Sequence, residues 1–393
     1  MTEVLDTAGA IGRPIKRKED AKLLHGRTNW TDNIQLPGTL HMALVRSPMA
    51  HARLTKVDVS GALAQPNVVA AYSAAELGDL NANVLCVWPV TDDTVMPPFP
   101  ALATDKVRHV GDVVACVLAT DAASAVDALD AVEVEYEPIP AVVSMEAAIA
   151  DGSPLVHDEA ARNTSYVYDL GGGFDEAAAK ADVVVKRRFV NQRLMPSFME
   201  PRAVVAAPMG MSDEITLWSS TQIPHVLRVV LALSTGISEQ NLRVVAPDVG
   251  GGFGGKLQMY REEILVLQLA RKLGRPVKWT ETRSENMVAT HHGRDQIQDI
   301  EIAAAKDGTF LGLKVTLLAD MGAYLGIITT GTPLLGMFMY PGIYKMDAYE
   351  FRCTGVFTNK TQTDAYRGAG RPEATFAIER IVDELAAELG MEP

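Results

Sequence analysis

The chain has 393 residues, 48% of them hydrophobic, which is enough for two or three domains with their own cores and too apolar for a disordered protein. Its net charge of −13, from 36 basic and 49 acidic side chains, argues against nucleic acid or an anionic membrane as the main partner but leaves room for a local basic pocket. Three cysteines, Cys86, Cys116 and Cys353, form no C-x-x-C pair, so they predict no disulfide framework, no zinc site and no iron–sulfur cluster held by this chain alone, and they fit a reducing, cytoplasmic compartment.

The N-terminus, "MTEVLDTAGAIGRPIKRKED", lacks the apolar run of a secretory signal. "HMALVRSP" and "ARLTKVDVS" alternate and carry β-branched residues, so they read as strands joined by the turn "SPMAHAR". "VGDVVACVLAT" from Val110 reads as a buried strand, Asp121 as the cap of an alanine-rich helix, and "EVEYEP" as a strand closed by Pro138 and Pro140. These make a small α+β unit over residues 1–140. Residues 141–168, with the polar run "HDEAARNTS", read as a connector to a second domain over 169–393.

In that domain "GGGFDEAAAK" from Gly171 reads as a turn and a helix start, and "ADVVVKRRFV", "AVVAAP" and "ITLWSS" as strands. Pro224 to Leu233 predicts a helix with proline in its first turn and Gly236 after its end. "NLRVVAPDV" predicts a strand running into "GGGFGGK", and "LQMYREEILVLQLARKLG" an amphipathic helix stopped by Gly274. "PVKWTETR" reads as a further strand, and "PEATFAIERIVDELAAEL" as a closing helix with Pro372 at its start and Glu373 in its first turn. The uncharged stretch 321–344 holds seven glycines and prolines, which predicts buried loops and short elements and no membrane span.

The glycine loop carries the chemistry. Five glycines, Gly250, Gly251, Gly252, Gly254 and Gly255, flank Phe253 and precede Lys256. A loop between strand and helix can aim backbone N–H groups at an anion. The pattern G-x-x-x-x-G-K points to a nucleoside triphosphate, but Leu257 stands where a magnesium-binding Ser or Thr is needed. The pattern G-x-G-x-x-G points to a dinucleotide, with Glu281, 26 positions beyond Gly255, as a loosely placed ribose acid. A loop that merely packs a strand on a helix is the bland alternative, although so many glycines cost chain entropy. A second loop, "TQTDAYRGAGR" from Thr361, also feeds a helix. Its Arg367 and Arg371 offer charge and N–H groups, or else ion pairs with Asp364 or Glu373.

"APDVGGGFGGK" with "DAYRGAGRPEATFAIERIVDELA" resembles the molybdopterin-binding subunit of the xanthine oxidase and aldehyde oxidoreductase family, which includes the large chain of aerobic carbon monoxide dehydrogenases. "EDAKLLHGRTNWTDNI", "LPGTLHMALVRSPMAHAR" and "MPSFMEPRAVVA" extend the resemblance over nearly the whole chain. It implies an α+β fold: a hammerhead-like N-terminal domain, then the first molybdenum-cofactor-binding domain. It implies a molybdenum–molybdopterin cofactor in its cytosine dinucleotide form, with 2Fe-2S and FAD on partner subunits. Gln222 would donate from its side-chain amide to a metal oxygen. The backbone at Gly251, Gly252, Phe253, Gly254 and Gly255, and at Tyr366, Arg367 and Gly368, would lie against the cofactor; no residue would coordinate the metal directly. The implied reaction is oxidative hydroxylation of an aldehyde or N-heterocycle with water-derived oxygen. A non-catalytic scaffold of the same fold and an NAD-binding oxidoreductase are the alternatives.

Three departures bear on this. Leu257 replaces the glutamate that grips substrate in xanthine-type members, and Ala369 replaces an aromatic residue that stacks a flat ring, so purine is an improbable substrate. The second loop has no cysteine for a copper-dependent carbon monoxide reaction. No residue matches the family's general-base glutamate; either a second molybdopterin chain supplies it, alongside the iron–sulfur and FAD subunits, or the sequence is a fragment of a longer subunit. Of the remaining candidates, His291 and His292 are adjacent and make a poor metal pair. His225 reads as a helix-face histidine, and Glu200 as a buried partner of Arg202 or of a backbone amide.

Overall fold

The computed structural model describes residues 9, 11–210 and 213–393. Residues 1–8 and 10, part of the segment read for a signal, lie outside them. Among these residues fifteen strands follow in chain order. The first six are β1 Leu40–Arg46, β2 Ala52–Asp58, β3 Val68–Ser73, β4 Lys106–Val107, β5 Val113–Ala119 and β6 Glu133–Pro138. Then come β7 Thr164–Gly172, β8 Val183–Asn191, β9 Ala203–Pro208, β10 Ile215–Ser219 and β11 Leu242–Val245. The last are β12 Val277–Thr280, β13 Gln296–Ala304, β14 Phe310–Gly322 and β15 Ala348–Phe357.

A seven-stranded mixed sheet has the order β11-β10-β9-β12-β1-β5-β3. It joins the N-terminal segment to the later one through the parallel pair β1–β12, where Leu40 faces Val277 and His41 faces Lys278. β5 is buried at every position, as expected of a strand inside such a sheet. A five-stranded sheet, β7-β15-β14-β13-β8, and a small sheet, β4-β2-β6, complete the architecture. β7 begins inside the segment read as a connector, which also holds the short helix Met145–Ala148.

Three longer helices frame the site. Helix Pro224–Thr235 has proline in its first turn and ends on Gly236 at φ +70°. Helix Arg371–Leu389 ends on Gly390 in the same left-handed conformation. Helix Arg261–Leu273 is stopped by Gly274, as its sequence predicts, but it is not a surface amphipathic helix: Arg261 through Ala270 are all buried. Its charged first turn is neutralised inside. Arg261 pairs with Asp112, Glu262 with Arg46 and Arg202, and Glu263 accepts from the Ser219 hydroxyl at 2.7 Å. Asp112 and Arg46 come from the N-terminal segment, so this helix start ties both segments together. Burial raises the Glu263 carboxyl to about 7.

The stretch 321–344 is largely buried and contains only one helical turn, Pro333–Gly336. No helix among the described residues is long and apolar enough to cross a membrane. All three cysteines are free.

Candidate cofactor site

The glycine loop does not run from strand straight to helix. β11 ends at Val245 and the next helix starts at Arg261, so residues 246–260 form a long excursion. The expected glycine-to-helix N-terminus geometry is therefore absent. That helix is capped instead by Tyr260, whose N–H is held by Glu263 Oε2 at 2.7 Å.

Lys256 points inward. Its side chain is 0% exposed and its Nζ lies 2.7 Å from Glu200 Oε2, over the ring of Phe198. Burial lowers its pKa, against the pull of Glu200. A lysine so placed cannot reach a phosphate, which removes the triphosphate reading. Glu200 Oε2 also accepts the Gly250 N–H at 2.7 Å, and the Glu200 N–H returns a bond to Gly250 O at 3.2 Å. Glu200 thus clips both ends of the glycine run. It is not the partner of Arg202, which pairs with Glu262 and Glu281. That pairing buries Glu281 completely and leaves no free acid for a ribose, which removes the main support of the dinucleotide reading.

Gln222 leaves β10 and lies across the loop. Its N–H donates to Lys256 O at 2.9 Å, and its Oε1 accepts the N–H groups of Gly254 at 2.9 Å and Lys256 at 3.3 Å. The amide orientation is fixed by these donors, so Nε2 faces outward, with no partner among the described residues. A Cβ on Gly252 would fall 2.2 Å from Gln222 Oε1, which is why glycine stands there.

The second loop meets the first directly. The Arg367 N–H donates to Phe253 O at 2.9 Å. A Cβ on Gly254 would lie 2.1 Å from Ala365 O, so the close approach requires glycine. The N–H of Arg367, read from the sequence as available to a ligand, is thus engaged by the first loop. Two non-glycine residues here hold left-handed backbones, Phe253 at φ +53° and Ala369 at φ +41°. Such conformations cluster at functional sites.

Buried residues set the second loop in place. Asp364 accepts from Gln258 and Thr329 at 2.9 Å each. His291, buried and lowered in pKa by that burial, bridges the Tyr260 hydroxyl at 2.8 Å and Ala365 O at 3.0 Å. His292 bonds Met287 O at 3.0 Å, and neither histidine belongs to a group among the described residues that could hold a metal ion. Arg294, which no motif marked, donates to the carbonyls of Tyr366 and Arg367 and pairs with Glu373. Arg367 and Arg371 therefore lack the ion pairs that Asp364 or Glu373 might have given them; Arg371 donates to Gly368 O at 2.8 Å, and the Arg367 guanidinium lies 5.9 Å from the Phe253 ring centroid. His225 is exposed on the first turn of its helix.

What remains without a partner at this junction is a set of donors. Gln222, Phe253, Arg367 and Gly368 are exposed, and Leu257 and Ala369 are half-buried beside them in sequence. The N–H groups of Gly251, Gly252, Phe253 and Gly368 have no acceptor among the described residues. No group of three or more His, Cys, Asp or Glu residues that could hold a bare metal ion occurs among them. The donor set fits an oxyanionic group that brings its own metal ligands, as a pterin-bound molybdenum would.

Comparison with known proteins agrees. Residues 156–393 match the molybdopterin cofactor-binding domain, and residues 25–140 the aldehyde oxidase and xanthine dehydrogenase a/b hammerhead domain. The chain is 37% identical to the carbon monoxide dehydrogenase large chain of Afipia carboxidovorans, over 97% of this chain and 49% of that one. It superimposes on quinoline 2-oxidoreductase from Pseudomonas putida 86 with a TM-score of 0.91 and 35% identity, covering 96% of this chain and 48% of that one. It thus spans about half the length of these relatives. It is also 29% identical to the nicotinate dehydrogenase large molybdopterin subunit of Eubacterium barkeri, over 98% of this chain and 87% of that one. The chain belongs to the aldehyde oxidase and xanthine dehydrogenase family, as a hammerhead domain joined to a molybdopterin cofactor-binding domain.

Proposed function

We propose that this chain supplies one wall of the molybdenum-cofactor site of a hydroxylase, which oxidises an aldehyde or an N-heterocycle with oxygen from water. The observation that carries this is the cluster of unpartnered donors where the two loops meet: Gln222 Nε2 and the N–H groups of Gly251, Gly252, Phe253 and Gly368. Bound there, a molybdenum–pterin group would supply a Lewis-acid centre that acidifies water and accepts electrons. The chain's own residues hold and orient that group. Gln222 donates from an amide whose other end is fixed by Gly254 and Lys256. The loop N–H groups stabilise its anionic oxygens without reorganising. Leu257 and Ala369 line an apolar substrate side that lacks the grip of a purine site.

The opposite wall, with the general base, comes from a second polypeptide surface, and electrons pass to 2Fe-2S and FAD partners. The cytosine dinucleotide form of the cofactor belongs to this proposal. The test is co-expression with the neighbouring genes, followed by molybdenum and pterin analysis of the purified assembly. Stoichiometric molybdenum and aldehyde or heterocycle turnover are expected. An assembly without molybdenum would leave the scaffold reading, and tight NAD binding without pterin would favour the dinucleotide reading.

A further inference from the structure

Arg294 sits in none of the glycine motifs, yet it governs the second loop. Its side chain is 10% exposed, and its backbone and that of Asp295 are left-handed, at φ +64° and +60°. The guanidinium lies 4.7 Å from the centroid of the Tyr366 ring. Nη1 donates to Tyr366 O at 3.3 Å and to Glu373 Oε1 at 3.1 Å, and Nη2 donates to Arg367 O at 2.7 Å. One rigid fork thus grips two consecutive carbonyls, with Glu373 holding the fork from behind.

A trans peptide unit is planar, so its C=O and the following N–H point in opposite directions. Gripping Tyr366 O aims the Arg367 N–H away from Arg294, and that N–H donates to Phe253 O at 2.9 Å. Gripping Arg367 O aims the Gly368 N–H away in turn; Gly368 is an exposed residue, and its N–H has no acceptor among the described residues. We infer that Arg294 is a positioning residue that fixes both peptide planes, locking the two loops together with one N–H and presenting the next to an oxyanion of the bound cofactor. The identity of that oxyanion rests on the function proposed above; the grip on the loop does not.

The test compares Arg294→Met and Arg294→Lys in the full chain by hydrogen–deuterium exchange of residues 361–371. It also compares kcat, KM and molybdenum content in the reconstituted assembly. In the Met variant the Arg367 amide should exchange about tenfold faster or more, while β13 and helix Arg371–Leu389 keep their protection. Its kcat should fall about tenfold, with KM for substrate within about twofold, since the N–H faces cofactor and not substrate. Lysine keeps the charge but not the fork, so its values should fall between. Unchanged exchange at Arg367, or full recovery by lysine, would overturn the inference. Loss of protection throughout β13 and the helix would overturn it too, assigning Arg294 to folding alone. A wild-type assembly without molybdenum would instead remove the functional reading and leave the exchange result standing.

Discussion

Glu200 and Lys256 form a salt bridge of 2.7 Å that closes the base of the glycine loop. The lysine is wholly buried and the glutamate nearly so, at 0% and 13% exposure. The pair that a sequence motif offers to a ligand is therefore a clasp on the loop itself.

Breaking that clasp leaves one charge in the interior. Lys256→Met and Glu200→Gln should each destabilise the chain by about 3–5 kcal/mol. The double variant should recover much of the loss, because no lone charge is left. Chemical denaturation of the four proteins gives the coupling directly; additive losses would show that the pair does not act as a unit.

Gln222→Glu separates the two ends of that side chain. The loop-facing oxygen is kept, so stability should change by no more than about 1 kcal/mol. The outward donor is replaced by an acceptor, so kcat/KM of the assembly should fall about 10- to 1000-fold. Steady-state kinetics beside a thermal melt reads both, and unchanged turnover would take Gln222 out of the site.

Gly254→Ala should be much worse than Gly274→Ala. Both glycines have positive φ, at +96° and +62°, but only at Gly254 would the new Cβ strike backbone, 2.1 Å from Ala365 O. Strain alone at Gly274 should cost about 1 kcal/mol. At Gly254 the two loops must part, costing on the order of 3 kcal/mol or more. Equal losses in urea denaturation would mean that the loops separate freely.

Acid should weaken the fold through buried neutral histidines. Burial depresses His109, His157 and His292 from 6.5 to about 4. The unfolded chain therefore binds these protons first as pH falls. Their stabilisation is complete above pH 6.5 and is lost between pH 6.5 and 4, at most roughly 3 kcal/mol per residue. His157, which bonds Ala323 O at 2.6 Å, is the cleanest to test. His157→Gln should flatten the stability–pH slope in that window, and an unaltered slope would exclude it as a contributor.

Much of this site was legible in the sequence, and the reasons for the rest are physical. The run of glycines at 250–255 announces a close approach because only glycine tolerates it. Which surfaces approach is a tertiary matter: Ala365 meets Gly254 across more than a hundred residues. The inward turn of Lys256 depends on Glu200, 56 residues away. Arg294 carries no local signal at all, since its partners are two backbone carbonyls and Glu373, all more than seventy residues away in the chain. Strand β13 escaped notice because its buried face opens with Gln296 and Gln298 before Ile300 and Ile302, so hydrophobicity does not report its period of two. Gln298 Nε2 donates to Gln296 Oε1 at 3.1 Å, while Gln298 Oε1 is buried with no partner among the described residues. The helix at Arg261 read as amphipathic because its buried charges are answered by residues far away in the chain.

The parallel pairing of β1 with β12 has a consequence in time. As the chain is made, β1, β5 and β3 have their antiparallel partners within the first 119 residues. The other edge of β1 has none until Val277 emerges. For most of synthesis, then, a nascent protein of this sequence carries an open, largely apolar strand edge, of the kind that recruits chaperones or sticks to its neighbours. Fragments that end before residue 277 should be the ones that aggregate.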